Sequence, residues 1–209
     1  MKDAQAMRMR KKKNGQARMM NCLDYMRTEK PYDKTGFMLE IGCGKGGFMV
    51  QLAKKYPETH FVAVEKMSDV ILLAAEKIKR EECKNVKLLN CDADTLPEYF
   101  AEGSVDRIYL NFSDPWPKAK HAKRRLTSPR YLEIYKKLLK KDGAIFFKTD
   151  NRPLFDYSVE SFIEAGFRLE KLTYDLHKSE YEAENLHTEY EDNFSAKGFT
   201  INRVEAYVN

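Results

Sequence analysis

The chain has 209 residues, of which 43% are hydrophobic and 33% are charged, and its formal net charge is +5. This composition is typical of a globular protein, and the length suits one domain with a sizeable hydrophobic core. No apolar run approaches the ~20 residues that span a bilayer, and no signal-peptide pattern follows the basic start, so we expect a cytoplasmic protein.

The cysteines and histidines predict neither a metal site nor a redox motif. No two of the four cysteines are spaced as C-x-x-C, and the four histidines are scattered along the chain. Zinc and thiol-redox motifs depend on such spacing. We therefore expect reduced thiols and no bound metal.

Residues 1–35 lack a clean hydrophobic period and are rich in lysine, arginine and methionine. We interpret them as a basic N-terminal arm, and residues 36–209 as a single domain. A second basic cluster lies at residues 118–125, whereas acidic residues concentrate later in the chain. Two separate basic clusters in an otherwise balanced chain indicate a polyanionic partner. The bases of the arm are Arg8, Arg10, Lys11, Lys12, Lys13 and Arg18.

From residue 36 onward, short apolar segments alternate with amphipathic ones. Such alternation predicts βαβ units and a parallel sheet that helices cover on both faces. The helix that follows the second basic cluster is bounded by Pro129 and Gly143, as N-terminal proline and C-terminal glycine predict. The predicted strands are residues 37–41, 60–66, 85–92, 105–112 and 144–150, and the predicted helices are residues 46–56, 68–82, 128–143 and 152–166.

Two further strands are predicted at the end of the chain, in the segment FRLEKLTYDL and at residues 199–208. Residues 175–199 between them are polar and acidic, and we predict a loop there. Because no long helix separates these two strands, we expect them to be antiparallel. The sequence thus predicts one open α/β sheet with an antiparallel edge hairpin.

The segment LEIGCGKGGF follows the first strand and opens a helix. Gly42, Gly44 and Gly47 satisfy G-x-G-x-x-G, a pattern that lets a nucleotide cofactor approach a helix N-terminus and leaves a nicotinamide dehydrogenase possible. Glu40 lies two residues before the first glycine. An acid there would repel a pyrophosphate and favour a cationic ligand, which points to S-adenosylmethionine.

Two more acids lie at the ends of neighbouring strands. Glu65 ends the second strand, where a carboxylate can bind both ribose hydroxyls, and Asp92 ends the third, toward the adenine. Carboxyl ends of parallel strands meet at one edge of the sheet. We therefore predict that Glu40, Glu65 and Asp92 line one cofactor crevice.

The loop after the fourth strand, NFSDPWPKAKHAKRRL, places Asp114 beside this crevice and follows it with a run of bases. The bases would bind phosphates, and the carboxylate could accept hydrogen bonds from the N1–H and amine of a guanine or hold the cofactor amine. A ring nitrogen such as N7 already carries an in-plane lone pair, so alignment and charge stabilisation suffice for methyl transfer. The structural alternative is an Asp-Pro turn with a buried tryptophan.

Four segments together resemble the bacterial tRNA (guanine-N7)-methyltransferases: LEIGCGKGGF, NFSDPWPKAKHAKRR, KTDN and TEYEDNF. The resemblance covers roughly residues 37–208. It implies a class I S-adenosylmethionine-dependent methyltransferase fold, Rossmann-like, with a seven-stranded, mostly parallel sheet. It also implies methylation of N7 of a variable-loop guanine, at position 46, in tRNA. The sequence departs from the family pattern near its N-terminus. The basic segment MRMRKKK is present, but the segment that leads into the first strand has no tryptophan.

The resemblance also implies roles for individual residues. Asp114 is the position called catalytic in the family. The cofactor positions are Glu40, Glu65, Asp92 and Asp114, which join Gly42 and Gly44 of the glycine loop. The substrate positions are Lys118, Asp150, Thr188, Glu189, Tyr190 and Glu191. The RNA-contacting stretch contains Lys120, His121, Lys123, Arg124 and Arg125.

Three alternatives stay open from the residues. The first is an S-adenosylmethionine-dependent methyltransferase that acts on another RNA, on a protein or on a small amine, against which the basic loop argues. The second is a nicotinamide dehydrogenase, against which Glu40 argues. The third is an RNA-binding protein with an inert cofactor fold. The sequence leaves open whether the chain is a monomer or a homodimer.

Overall fold

The structure is a computed structural model that describes residues 14–27, 30 and 32–209. Most of the bases that define the predicted arm, residues 8–13, lie outside the described residues. The described part of the arm contains helix α1 (Gly15–Met20) and a short 3₁₀ turn (Leu23–Tyr25). Helix α1 packs on the helix α3 described below, and Arg18 forms an ion pair with Glu76 there.

Strands and helices alternate as the pattern predicts. The strands are β1 (Phe37–Ile41), β2 (Phe61–Val64), β3 (Val86–Leu89), β4 (Val105–Asn111), β5 (Leu139–Thr149), β6 (Arg168–Thr173) and β7 (Asn202–Tyr207). The remaining helices are α2 (Gly47–Lys55), α3 (Ser68–Arg80), α4 (Pro129–Leu138), α5 (Arg152–Glu164) and α6 (Glu189–Ser195). No helix in the described part of the chain is both long and apolar enough to cross a bilayer.

The seven strands form one sheet in the order β3-β2-β1-β4-β5-β7-β6. The first five strands are parallel to their neighbours, and β7 is antiparallel to both β5 and β6. The predicted fold class and the edge hairpin are confirmed. From β1, the strand order runs outward through β2 and β3 on one side and through β4 and β5 on the other. The switch point therefore lies between the carboxyl ends of β1 and β4, where such sheets bind ligands.

The core lies on both faces of the sheet. In β1, the side chains of Phe37, Leu39 and Ile41 pack into the larger cluster, which α4 and α5 cover. Met38 lies on the opposite face with α2 and α3. Since side chains alternate along a strand, Glu40 is on the face of Met38. This alternation places a carboxylate, rather than another apolar side chain, beneath the glycine loop.

The predicted helix at 128–143 is five residues too long. Helix α4 ends at Leu138, and β5 begins at Leu139, whose backbone is already extended and whose side chain is buried. The segment that follows bends through Asp142 at φ 63°, and the register between β4 and β5 shifts there. A Cβ at Gly143 would lie 2.8 Å from the Lys140 carbonyl oxygen. Gly143 therefore permits a bulge in a strand and does not end a helix.

The predicted acidic loop at residues 175–199 contains helix α6. Thr188 and Glu191 form a capping box at its start: the Thr188 hydroxyl accepts a hydrogen bond from the Glu191 N–H at 2.9 Å, and the Glu191 carboxylate accepts one from the Thr188 N–H at 3.3 Å. The sequence T-E-Y-E is the signature of such a cap. This segment returns the chain over the carboxyl edge of the sheet before β7 begins.

Candidate functional site

Four of the predicted cofactor residues lie together. Gly42, Glu65, Asp92 and Asp114 line a cleft of about 280 Å³ at the carboxyl ends of β1, β2, β3 and β4. Glu40 and Gly44 line an adjoining cleft of about 340 Å³, which shares Gly42 with the first. The sheet topology thus brings the three strand-end acids and Asp114 to one continuous crevice, as expected for a doubly wound fold.

The glycine loop makes room for a ligand. Gly42 and Gly44 have φ of 80° and 55°, which side-chain-bearing residues rarely adopt, and a Cβ at either position would meet no protein atom within 4 Å. These two glycines therefore border open space. Gly46 serves packing instead, since a Cβ there would press on Ala74 at 3.1 Å. Residues 42–44, just before α2, therefore form an open loop that can hold a ligand, which we call the glycine cradle.

Glu65 is held in place by the backbone around it. Its carboxylate accepts hydrogen bonds from the N–H of Gly44 at 3.3 Å and from the N–H of Met67 at 2.9 Å. These contacts connect the end of β2 to the glycine loop. The carboxylate therefore keeps one orientation toward the cleft, which suits chelation of two adjacent hydroxyl groups.

Asp92 has a second, structural task. Its carboxylate accepts a hydrogen bond from the Asp94 N–H at 3.3 Å and so caps the short turn Ala93–Glu98. The side chain is nevertheless exposed and lines the cleft beside Cys91 and Ala93. One carboxylate can do both, because it has two oxygens and four lone pairs.

Glu40 is a buried carboxylate with one unsatisfied oxygen. Only 3% of the residue is exposed, Asn111 donates to Oε1 at 3.1 Å, and Oε2 has no partner among the described residues. Burial raises the pKa of Glu40 to about 7. A buried acceptor without a hydrogen bond lowers the stability of the fold, unless a ligand donates a hydrogen bond to it. The residues present therefore fit S-adenosylmethionine, whose ammonium group would supply that donor beside the glycine cradle.

This geometry predicts a pH-dependent affinity for S-adenosylhomocysteine, which carries the same ammonium group. With a pKa of about 7, Glu40 is increasingly protonated below pH 7 in the free protein, whereas a bound ammonium favours the carboxylate. We expect affinity to fall about tenfold per pH unit below 7, measured by isothermal titration between pH 6 and pH 8. Glu40→Gln should bind more weakly and without this slope; a slope that persists in the variant would assign it to another group.

The loop after β4 is fixed by Arg125 and by an unusual backbone. Arg125 donates from Nε to the Pro115 carbonyl at 3.0 Å and from Nη2 to the Trp116 carbonyl at 3.2 Å, and it covers the Tyr157 ring at 4.2 Å. Phe112 and Trp116 have positive φ, at 52° and 41°. Arg125, predicted as an RNA contact, is thus occupied by the loop itself.

The other bases of this loop are available to a partner. Lys118, Lys120, Lys123 and Arg124 are exposed, and none has a carboxylate within ion-pair distance among the described residues. Arg124 and His121 both contact the Trp116 ring, with centroid distances of 5.0 Å and 5.8 Å. Unpaired exposed cations beside a cleft favour a polyanionic substrate.

Tyr190 lies near two carboxylates. Burial, together with the charges of Asp150 and Asp114, raises the pKa of Tyr190 to about 12. Asp150 follows β5 and is half-buried, which raises its own pKa. Tyr190 of α6 is therefore close enough to both acids for their charges to act on it. Asp114 lines the first cleft and Tyr190 the adjoining one, and Asp150 lies at the carboxyl end of β5.

The remaining residues of the T-E-Y-E segment differ in orientation. Thr188 and Glu189 line the same cleft as Tyr190, and Glu189 forms an ion pair with Lys77 of α3. Glu191 is fully buried and points away: its carboxylate accepts hydrogen bonds from Lys148 at 2.6 Å and Asn185 at 2.7 Å. Although burial alone would raise it, these contacts lower the pKa of Glu191.

The fold also brings together histidines that are scattered in the sequence. The rings of His177 and His187 are parallel, at 8° and with centroids 4.9 Å apart. His187 lies between Glu182 at 2.6 Å and Asp192 at 2.7 Å. Burial lowers the pKa of His187, but these two carboxylates outweigh it, and the net shift is upward. The cluster braces the start of α6 and could not be read from residue spacing.

Ligand atoms of His177, Glu182 and His187 lie within 4.8 Å of one another. The lone pairs of two parallel imidazoles lie in two separate parallel planes, so they cannot converge on one ion unless a ring rotates. The observed contacts of the two rings are with the carboxylates of Glu182, Glu191 and Asp192.

Comparisons with known proteins identify the family of the chain. The family model described as "Putative methyltransferase" matches residues 34–204. The tRNA (guanine-N(7)-)-methyltransferase of Macrococcus caseolyticus is 50% identical over 80% of this chain and 80% of that protein. The enzyme of the same name from Streptococcus pyogenes serotype M6 is 44% identical over 96% of this chain and 99% of that protein.

A solved structure supports the fold. The crystal structure of the 16S rRNA methyltransferase KamB superposes with a TM-score of 0.64, covers 88% of this chain and 96% of that chain, and shares 16% sequence identity. At this identity, the likeness concerns the fold alone. On the sequence relatives, which align over most of its length, the chain belongs to the tRNA (guanine-N7)-methyltransferase family of S-adenosylmethionine-dependent enzymes.

Proposed function

We propose that this enzyme transfers the methyl group of S-adenosylmethionine to N7 of the guanine at position 46, in the variable loop of tRNA. Its place of action would be the cytoplasm, where the RNA substrate is found. The observation that carries the proposal is the unsatisfied Oε2 of Glu40 at the glycine cradle. It lies in a crevice that continues to Asp114, Asp150 and the exposed bases of the loop.

Each cofactor residue would contact a different part of the ligand. Glu40 would accept hydrogen bonds from the ammonium group, Glu65 from the ribose hydroxyls, and Asp92 would lie toward the adenine. When bound, S-adenosylmethionine supplies an electrophilic methyl group on a sulfonium. The protein's part is to fix the position of this group and to surround it with carboxylates that favour a cationic ligand.

The substrate residues recognise guanine and need not remove a proton before attack. N7 carries a lone pair in the ring plane, so the reaction needs alignment rather than a general base. Asp114 and Asp150 would accept hydrogen bonds from the N1–H and the exocyclic amine. Their negative charge also stabilises the positive charge that the purine gains as its N7 becomes methylated.

Lys118, Lys120, Lys123 and Arg124 would bind phosphates beside the target base. Arg125 and Glu191 are better assigned to positioning: Arg125 holds the loop and Glu191 holds α6. Phosphate contacts give affinity, and the acids give selectivity for the base. The division explains why charged residues of both signs occur at one site.

Charge reversal of the free bases tests this surface. We expect the double variant Lys123→Glu, Arg124→Glu to bind tRNA more weakly and to lower the slope of log affinity against log salt by about 2, since two phosphate contacts are lost. Arg125 is left intact to preserve the loop. A matched control, Lys137→Glu with Lys141→Glu, reverses two exposed bases elsewhere. If the control pair changed tRNA affinity and its salt slope as much as the loop pair does, the loop bases would have no special part in tRNA binding.

The function itself is tested by incubating the protein with unmodified tRNA and labelled S-adenosylmethionine and then mapping the modified nucleoside. We expect 7-methylguanosine at position 46 and no label in a tRNA with adenine there. Label at another nucleoside, or label that persists in the adenine variant, would overturn the proposal.

A further inference from the structure

Four aromatic rings, which we call the aromatic stack, form a contiguous row at the rim of the crevice. Tyr190 and Phe194 are stacked at 4.1 Å and 13°, Phe112 contacts Tyr190 at 5.0 Å and 38°, and Phe199 contacts Phe194 at 5.5 Å. Tyr190 is 41% exposed and Phe199 is 50% exposed. Exposed, contiguous aromatic surface of this kind marks a binding site rather than core packing.

Phe112 reaches this row through a strained backbone. Its φ of 52° is left-handed, a conformation that is unfavourable for a bulky residue and that persists where the surrounding structure imposes it. The Phe112 N–H is held by the Lys148 carbonyl at 2.9 Å. Phe112 lines both adjoining clefts of the crevice. The strain therefore holds an aromatic ring at the junction of the cofactor residues and Tyr190.

The contact between Phe112 and Tyr190 is loose compared with that between Tyr190 and Phe194. A tilt of 38° is not a stacked pair, whereas the 13° stack on the other side fixes the Tyr190 ring. Tyr190 also lies within reach of the charges of Asp114 and Asp150, the acids assigned to the guanine edge. The Tyr190 ring lines the cleft that shares Phe112 with the cleft of Asp114, so a base held at this ring would lie near an acceptor for its edge.

We propose that the target guanine inserts between Phe112 and Tyr190 and replaces their mutual contact. This inference rests on the proposed function. A base held between two rings needs about 7 Å between them, twice the ~3.5 Å contact distance, so the rings must separate by about 2 Å. Helix α6 is seven residues long and carries Tyr190 on its exposed side.

The chemistry of the substrate fits this arrangement. A base that is modified inside a folded RNA must leave its stack, and enzymes receive such bases between aromatic or apolar side chains. Ring stacking fixes the plane of the purine, and the acids fix its rotation within that plane. Together these restraints would point N7 toward the methyl group in the adjoining cleft. Phe112 is thus a positioning residue that also acts in substrate selection.

The test uses tRNA with thienoguanosine at position 46, a fluorescent guanosine analogue that keeps the N1–H and the 2-amino group and is quenched when it stacks on an aromatic ring. We expect quenching with the wild-type protein in the presence of S-adenosylhomocysteine, and its loss in Phe112→Leu and Tyr190→Leu. The rate of methylation of unmodified tRNA under single-turnover conditions should fall about tenfold or more in both variants. Tyr190→Phe, which keeps the ring, should retain the quenching.

A matched control is Tyr174→Leu, which removes an exposed aromatic ring that packs on Phe155 elsewhere; it should behave as wild type. Affinity for S-adenosylhomocysteine should be unchanged in Tyr174→Leu. Full quenching in Phe112→Leu or Tyr190→Leu, or a fall in methylation no larger than the fall in cofactor affinity of the same variant, would overturn the inference. If the wild type itself does not methylate guanine, the proposed function fails instead, so the two failures are distinct.

Discussion

Replacing Asp114 with asparagine is expected to reduce methyl transfer about 10²- to 10³-fold. Asparagine has the shape of aspartate but no charge, and it presents two donors where guanine also presents donors. The side chain is exposed at the crevice, so folding should be unaffected. The measurement is the single-turnover rate at saturating tRNA and S-adenosylmethionine, with circular dichroism as the check on folding.

The control for Asp114→Asn is Asp142→Asn, an exposed acid in the β5 bulge. Its left-handed φ is one that asparagine tolerates. It should retain wild-type rates. If Asp114→Asn also kept the wild-type rate, Asp114 would have no part in the reaction. If it lost only cofactor affinity, its role would be in holding the cofactor amine rather than the guanine.

Glu191→Ala is expected to have the largest effect on stability. It leaves Lys148, whose side chain is 7% exposed, as a buried charge without its carboxylate. Removal of one partner of a buried ion pair costs about 3 kcal/mol or more, which corresponds to a fall in melting temperature of about 6 °C or more. The same change should loosen α6 and lower methylation, because Tyr190 is carried on that helix.

Two companion variants test the physical cause. Glu189→Ala removes the exposed ion pair with Lys77 on the same helix and should cost less than about 1 kcal/mol. Lys148→Met with Glu191→Leu removes both charges and should recover part of the stability lost in Glu191→Ala. If Glu191→Ala were no more destabilising than Glu189→Ala, the buried pair would not be what holds α6.

The sheet and the positions of the strand-end acids could be predicted because the strands have local signals in the sequence. Hydrophobic runs of four to seven residues mark the strands, and β1 has the predicted bounds. The acids at the strand ends follow from topology, since parallel strands present their carboxyl ends at one edge. Thus Glu40, Glu65 and Asp92 could be placed in one crevice from the sequence.

The predicted end of the helix at Gly143 was wrong because glycine has more than one structural use. The backbone is already extended from Leu139 onward, and Gly143 lies within the strand. Two features of the site depend on contacts between distant residues. Arg125 is one base in a run of bases, and only the fold shows that two loop carbonyls occupy it. The direction of the Glu191 carboxylate depends on Lys148, 43 residues away, which no local pattern reveals.

The aromatic stack and the His177–His187 pair could not be predicted from the sequence for a related reason. Each is assembled from residues that are not neighbours along the chain and that meet only in the folded structure. Phe112 and Tyr190 are 78 positions apart (190 − 112) in the sequence and 5.0 Å apart in the fold. The signal that was available is T-E-Y-E, which is a capping box and so predicts a helix at this place.

The most direct test of the whole account is a crystal structure of the protein with S-adenosylhomocysteine. We expect the ligand's ammonium group within hydrogen-bond distance of Glu40 Oε2, its ribose hydroxyls on Glu65 and its sulfur facing the space between Asp114 and Phe112. The account would be contradicted by a ligand bound instead in the cleft lined by Arg107 and Arg203, with Oε2 of Glu40 still without a hydrogen-bond donor.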